Sequence, residues 1–125
     1  MGDQVQGRLG WIDLTVEAAE EMREFYAAVV GWTPDPVDMG EYEDFTMLDS
    51  AGDAVAGVCH RRGANASIPT GWLPYFVVGD LDAAIGAVRG RGGTVRDGPR
   101  STGDARWAIA TDPAGNAFAL WEGPG

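Results

Sequence analysis

The chain has 125 residues, enough for one domain with a real core and too few for two independent domains. Its 19 acidic and nine basic residues give a formal charge of −10, which excludes nucleic acid and anionic membrane surfaces as favoured partners because polyanions are repelled. No apolar run approaches the roughly 18 residues that cross a bilayer. The single Cys59 cannot form an intrachain disulfide and no basic-then-apolar leader precedes the first predicted strand, so we expect a cytoplasmic protein.

The first half of the chain is predicted to contain a strand, a helix and shorter strands. Residues 9–16 form an apolar strand and residues 17–30 a helix. Strands at 42–48 and 54–61 follow, joined by an Asp-to-Gly turn. A weaker pattern indicates one more strand near 36–40.

The first helix is predicted from apolar residues at helical spacing. Acidic residues fill its first turn, where the helix dipole favours anions. Gly31 is the natural C-terminal cap. The residues expected on its inward face are Met22, Phe25, Tyr26 and Val29.

The second half has the same plan. A strand at 71–78 leads to a helix capped by Asp80. Strands at 105–111 and 117–122 follow, and a weaker one lies near 94–97. The inward residues of this helix are expected to be Leu81, Ala84, Ile85 and Val88.

An internal repeat relates the two halves. Segment 49–57, DSAGDAVAG, matches segment 112–120, DPAGNAFAL, at five of nine positions. The sequence therefore predicts an α+β fold of two tandem βαβββ modules that form curved mixed sheets around a central cleft, where small ligands commonly bind. The predicted layout is a single domain, residues 1–125, with module one at about 7–62, a linker at about 63–70 and module two at about 71–122.

Two motifs resemble those of the vicinal oxygen chelate superfamily, which contains glyoxalases, bleomycin-resistance proteins and extradiol dioxygenases. One motif ends the first helix and the other precedes the last strand. The likeness covers nearly the whole chain. The residues that carry it are Phe25, Tyr26, Val29, Gly31 and Trp32, then Asp112, Pro113, Gly115 and Asn116.

The resemblance implies that metal-binding members place His, Gln or Glu at one position on each of four strands. The corresponding positions here are Trp11, Ala56, Leu73 and Ala119. None of these side chains can bind a divalent cation, which needs oxygen, imidazole or thiolate donors. We therefore expect a member without a metal or other cofactor.

Strand alternation selects the candidate site residues. If no bulge intervenes, it places Trp11 with Asp13, and Ala56 with Val58 and His60. Asp13 and His60 are then the candidate catalytic residues, because a carboxylate in an apolar strand and the only imidazole can exchange protons. The predicted ligand contacts are Trp11, Val58, Leu73, Tyr75, Ala119 and Trp121.

Structural interpretations of the same residues stay open. His60 is also consistent with a strand end beside Arg61 and Arg62, and Asp13 with a hydrogen bond that only holds the fold. The tryptophans are consistent with ordinary core positions.

Three functions fit the sequence, which does not choose among them. The first is a metal-independent protein that binds a small apolar or aromatic organic molecule in the cleft, for resistance by sequestration; the resemblance implies a homodimer. The second is a metal-independent isomerase, lyase or cyclase of specialised metabolism that uses Asp13 and His60. The third is a metal-dependent lyase or dioxygenase with displaced ligands Asp13, His60 and Glu122.

Overall fold

A computed structural model of the protein describes residues 5–123. The chain forms two compact units. The first unit comprises residues 12–72, and the second comprises residues 5–11 together with 73–123.

The first unit is a mixed sheet with one helix. Its strands have the order β2-β3-β4-β1, in which β1 and β4 are parallel and the other neighbours antiparallel. β2 begins earlier than the strand predicted near 36–40. The elements are β1 (Leu9–Val16, of which residues 12–16 lie in this unit), α1 (Ala19–Val30), β2 (Thr33–Asp38), β3 (Glu43–Leu48) and β4 (Ala54–His60).

The second unit repeats this arrangement with the order β5-β8-β7-β6. β5 and β8 are parallel, whereas β8, β7 and β6 are antiparallel neighbours. β6 is longer than the strand predicted near 94–97. The prediction of an α+β fold with two βαβββ modules is confirmed, while the central cleft stays a prediction. The elements are β5 (Gly71–Val77, of which residues 73–77 lie in this unit), α2 (Leu81–Gly90), β6 (Thr94–Thr102), β7 (Ala105–Thr111) and β8 (Ala117–Glu122).

The repeated Asp-to-Gly segments form matching turns. The Oδ1 atom of Asp49 accepts hydrogen bonds from the backbone N–H groups of Ala51 and Asp53, both at 2.9 Å. The Oδ1 atom of Asp112 accepts in the same way from Ala114 and Asn116, also at 2.9 Å. A short side chain that binds its own backbone two and four residues ahead explains why Asp begins both turns.

The helix ends follow the predicted capping residues. Gly31 ends α1 in the left-handed conformation, with φ of 85°, and its N–H donates to the carbonyl of Ala27. Asp80 precedes α2 and its side chain accepts from the N–H of Ala83 at 3.0 Å. Neither helix within residues 5–123 is long and apolar enough to span a membrane.

Each helix packs on one face of its own sheet. We call this the helix face of the unit and the opposite surface the non-helix face. The helix-face core of the first unit contains Leu14, Ala19, Phe45, Met47, Ala56 and Val58. That of the second unit contains Leu81, Ile85, Ala108 and Leu120.

The predicted inward face of α1 is wrong at two positions. Phe25 is 53% exposed and Val29 is 64% exposed. The helix instead packs through Ala19, Met22 and Tyr26, which are three and four residues apart. Phe25 lies at the side of this stripe, where its ring is edge-on to Tyr26 at 5.1 Å between centroids.

We predict that Met47→Ala lowers the free energy of unfolding by about 2–5 kcal/mol, because Met47 is fully buried and its removal leaves a cavity. Phe25→Ala is the matched control and should cost less than about 1 kcal/mol, since its ring is half exposed. Urea denaturation of both variants measures the two values. A larger loss for Phe25→Ala than for Met47→Ala would contradict this assignment of the α1 face.

Candidate functional site

A β-bulge in β4 decides which side chains share a face in the first unit. Leu48 pairs with Ala54, but the next residue of β3, Met47, pairs with Ala56. Val55 is therefore an extra residue with no partner of its own. From this point onward β4 is shifted by one residue, and each later side chain turns to the face opposite to that predicted by simple alternation.

Asp13 and His60 lie on opposite faces of the first unit's sheet. Asp13 pairs with Gly57 across the parallel strands, whereas His60 is three residues further along β4. An odd separation along a strand reverses the face. The prediction that Asp13 and His60 face one cavity is thus wrong, because the bulge at Val55 places the His60 side chain on the other face of the sheet. Val58, predicted as a ligand contact, lies on the same face as His60 and packs in the core against α1.

Asp13 lies on the non-helix face beside a glycine that its carboxylate requires. A Cβ atom on Gly57 would overlap with the Asp13 Oδ1 atom and would lie 3.6 Å from the Cys59 sulfur. Burial first, and then the negative charges of Asp13 and Asp44, raise the pKa of the Cys59 thiol. Cys59 is therefore a protonated, half-buried thiol rather than a nucleophile.

His60 lies on the helix face between two carboxylates. Its Nε2 atom is 2.9 Å from Oε2 of Glu20 in the first turn of α1, and its Nδ1 atom is 3.2 Å from Oδ1 of Asp44 on β3. The same Asp44 oxygen accepts the backbone N–H of His60 at 2.8 Å. The ring of Tyr42 packs edge-on against the imidazole at 5.2 Å.

The two carboxylates favour the imidazolium form. Burial by itself would lower the pKa of His60, but the hydrogen bonds to Glu20 and Asp44 outweigh it and hold this pKa above its ordinary value. The His60 bond in turn lowers the pKa of Glu20. Because its two nitrogens both face carboxylates, the His60 imidazole links β4 to α1 and to β3. This arrangement favours a structural role for His60.

The non-helix face of the second unit carries two rows of side chains across its four strands. Direct cross-strand pairing places side chains of neighbouring strands on the same face. The first row, which we call the tryptophan row, is Arg100, Trp107, Trp121 and Val77 in the order β6-β7-β8-β5. The second row is Asp97, Ile109, Ala119 and Tyr75 in the same order.

Four of the predicted ligand contacts share this face, namely Leu73, Tyr75, Ala119 and Trp121. Leu73, Tyr75 and Ala119 are buried, whereas Trp107 and Trp121 are half-buried. The accessible side chains of this face are thus Arg100, Trp107 and Trp121 of the tryptophan row, whereas Val77 in the same row is buried.

Trp11 and Trp72 do not belong to the tryptophan row. Trp11 is half-buried and is two residues from Asp13 on β1, so alternation gives both the same face of that strand. Trp72 instead packs in the first unit, where its Nε1 donates to the Tyr26 hydroxyl at 3.3 Å and its ring is edge-on to Tyr26 at 5.2 Å. Trp72 therefore belongs to the helix-side core.

Sequence reasoning missed Asp97 and Arg100, which reach the non-helix face through an irregularity in β6. Asp97 pairs with Ile109 and Arg100 with Trp107, so three steps along β6 match two along β7. Gly98 lies between them with φ of 97°, and a Cβ there would come within 2.9 Å of the Trp107 carbonyl. The signal in the sequence was the Gly98-Pro99 pair, which interrupts a strand pattern.

At the four positions where the resemblance implies metal ligands, the side chains present do not fit a metal. Trp11, Leu73 and Ala119 have no suitable donor, and the bulge substitutes Gly57 for Ala56 on the non-helix face. No group of three or more His, Cys, Asp and Glu side chains in residues 5–123 is arranged to hold a metal ion.

The displaced ligand set Asp13, His60 and Glu122 is also wrong. Asp13 and His60 lie on opposite faces of one sheet, so they cannot bind a common ion. Glu122 is on the helix face of the second unit, where its Oε2 accepts the N–H of Leu81 at 2.6 Å.

We predict that His60 makes folding stability depend on pH. Because its pKa is raised in the folded state, its contribution is complete below the unfolded pKa of about 6.5 and is lost as pH rises through the folded pKa. His60→Gln should lower the free energy of unfolding by about 1–3 kcal/mol at pH 6 and flatten its dependence on pH up to 9. Urea denaturation across this range is the measurement, and parallel profiles for the two proteins would contradict the carboxylate link.

Comparisons with known proteins agree with this fold. The chain is 34% identical over 123 residues to a putative glyoxylase, CFP32, of Mycobacterium tuberculosis, covering 94% of this chain and 46% of that protein. It is 30% identical over 128 residues to the anthracycline biosynthesis protein DnrV of Streptomyces peucetius, covering 92% of this chain and 46% of that protein. The chain thus spans about half the length of the curated relatives it matches.

Solved structures with the same fold include a methylmalonyl-CoA epimerase of Streptomyces coelicolor in complex with 2-nitronate-propionyl-CoA. That structure has a TM-score of 0.58 at 20% identity and covers 97% of this chain and 100% of its own. A hypothetical protein of Bacillus halodurans, BH1468, has a TM-score of 0.61 at 13% identity with 97% of each chain covered. The family model that matches residues 8–120 is that of the Glyoxalase/Bleomycin resistance protein/Dioxygenase superfamily, and the chain belongs to this superfamily.

Proposed function

We propose that the protein binds a small, planar, largely apolar organic molecule without a metal ion, and that the ligand packs against the tryptophan row. The observation that carries the proposal is the pairing of two half-buried indoles, Trp107 and Trp121, on the non-helix face of the second unit. Aromatic faces bury a large area with defined geometry, which suits a planar ring system.

The neighbouring side chains support an apolar ligand. The row beside the tryptophan row contains Tyr75, Ile109 and Ala119. These three side chains are buried and largely apolar, so they form an apolar base beside the two indoles. An absence of metal donors at the family's ligand positions supports a site that works through packing and hydrogen bonds.

The names of two relatives support a small organic ligand. One is a putative glyoxylase and the other an anthracycline biosynthesis protein. Anthracyclines contain fused planar rings, the kind of surface that two adjacent indoles accommodate. Sequestration of such a compound for resistance is the simplest role, since it requires binding alone. The homodimer and the cytoplasmic location stay predictions.

We predict that Trp121→Ala weakens binding of an anthracycline by about 1–3 kcal/mol, the amount that stacking positions lose on truncation. Trp32→Ala is the control, because Trp32 stacks on Tyr26 at 6.1 Å in the first unit and should affect stability more than affinity. Equilibrium dialysis measures both dissociation constants independently of tryptophan fluorescence. Equal affinity of Trp121→Ala and the unaltered protein would remove the tryptophan row as the binding surface.

Turnover of a small organic molecule by the first unit is the second candidate function, and Asp13 is the observation that favours it. Asp13 is a half-buried carboxylate on the non-helix face of the first unit, whereas His60 is held on the helix face by Glu20 and Asp44. A carboxylate in such a place is suited to act as a general base in an isomerase, lyase or cyclase.

For this enzyme hypothesis, Asp13→Asn should abolish conversion of a candidate substrate while leaving its binding nearly unchanged. His60→Gln is the matched control and should retain conversion. Product formation followed by chromatography, together with equilibrium dialysis, separates the two effects. Conversion that survives Asp13→Asn, or that is lost only in His60→Gln, would refute a catalytic role for Asp13.

A further inference from the structure

Arg100 is the guanidinium that strand pairing places in the tryptophan row. It pairs with Trp107 across β6 and β7, and its guanidinium carbon lies 5.1 Å from the centre of that indole ring. Cation–π contact at this distance holds the planar group against the ring. About a third of the Arg100 side chain, 34%, is exposed.

Asp97 fixes the orientation of this guanidinium. The Nε atom of Arg100 donates to Oδ1 of Asp97 at 3.0 Å, and its Nη2 contacts the Oδ2 atom. The Asp97 side chain is 16% exposed, so the pair is partly shielded from water. A side-on pair with a carboxylate aligns the planar guanidinium in one direction.

The backbone of β6 is shaped so that both residues reach the same face. Residues three apart on a regular strand face opposite ways, yet Asp97 and Arg100 pair with Ile109 and Trp107, which are two apart on β7. The additional residue accommodated around Gly98 reverses the second side chain. A regular β6 would have turned Arg100 away from the indoles.

We propose that Arg100 is a specificity-determining residue that donates a hydrogen bond to a carbonyl oxygen of the ligand, so that the ligand class is a planar aromatic ketone or quinone. This inference rests on the proposed function and names the substrate class for the same surface. A guanidinium has only donors to offer, so its complement on the ligand is an acceptor. A ring system packed on Trp121 would direct an oxygen on its edge along the row toward Arg100.

A neutral acceptor fits better than an anion. The positive charge of Arg100 is balanced by Asp97, and the chain as a whole has a formal charge of −10. An anionic ligand would therefore be repelled by the net negative charge of the chain, whereas a neutral carbonyl group would not. The pair also explains how a cation is kept in an otherwise apolar row.

The test compares fluorenone with fluorene, which have the same three rings and differ by one carbonyl oxygen. Equilibrium dialysis should show that the unaltered protein binds fluorenone about 10-fold or more tightly than fluorene, as expected for a hydrogen bond to a charged donor. Arg100→Met should lower the affinity for fluorenone until fluorenone and fluorene bind about equally. Arg96→Met on the same strand is the matched control and should keep the preference, since Arg96 binds Thr111.

The outcomes separate the two proposals. Equal binding of fluorenone and fluorene by the unaltered protein, or a preference that survives Arg100→Met, would overturn the role of Arg100 while leaving the apolar surface standing. Tighter binding of fluorene-2-carboxylate than of fluorenone would overturn the neutral acceptor. Failure of both fluorenone and fluorene to bind would overturn this inference together with the proposed function.

Folding of the variants is checked by thermal melting. If loss of the ion pair unfolds Arg100→Met, the double variant Asp97→Asn/Arg100→Met removes both charges together and is measured in its place. It should also bind fluorenone and fluorene equally. A retained preference in this double variant would refute the proposal.

Discussion

The alternation of side chains along a strand is the constraint on which both units depend, and one additional residue in β4 changes its outcome. After Val55, the register places Gly57 beside Asp13 and buries Ala56 and Val58 against α1. This register is possible because Gly57 has no side chain and leaves space for the Asp13 carboxylate. A side chain at this position would compete with Asp13 for the same volume, so the bulge, the glycine and the carboxylate form one arrangement.

The same shift gives His60 its structural role. His60 ends β4 on the helix face, as Glu122 does on β8, and both side chains reach the first turn of the helix in their own unit. Glu122 accepts a backbone N–H of α2, where the helix dipole favours a carboxylate. The residue before α1, Ala18, provides no side-chain cap. The first turn of α1 contains the carboxylate of Glu20, and the residue that reaches it from β4 is the imidazolium of His60. The two modules thus share a backbone plan but join strand to helix with opposite charges.

The parts of the fold that could be predicted are those specified by local chemistry. The turns at Asp49 and Asp112, the left-handed cap at Gly31 and the N-terminal cap at Asp80 depend on residues within a few positions of each other. The repeat of nine residues then identified the duplication. What the sequence did not reveal is the extra residue in β4, because AVAGV reads equally well as a regular strand. The repeat aligned Ala56 with Ala119, and alternation from Ala56 then assigned His60 to the wrong face.

The exposure of Phe25 has a similar cause. Helical spacing identifies a stripe roughly 100° wide, and Met22 and Tyr26 are compatible with either of two neighbouring stripes. Which one packs inward depends on how the sheet lies under α1, and this is set by long-range contacts such as those of Leu14 and Met47. A periodic pattern in a short helix therefore predicts that the helix forms, but it does not predict which of two neighbouring stripes of side chains is buried.

The irregularities of β4 and β6 have opposite consequences for chemistry on the non-helix faces. The bulge at Val55 removes the only histidine from the face that carries Asp13, which leaves that face without an imidazole. The shift around Gly98 instead brings Asp97 and Arg100 to the face that carries Trp107 and Trp121. The strand positions at which the resemblance implies metal ligands have side chains without donors here, so the proposed ligand recognition needs polar groups from other positions. An inserted residue in a strand supplies them without altering the core, because it reverses a few side chains while the neighbouring strands keep their pairing.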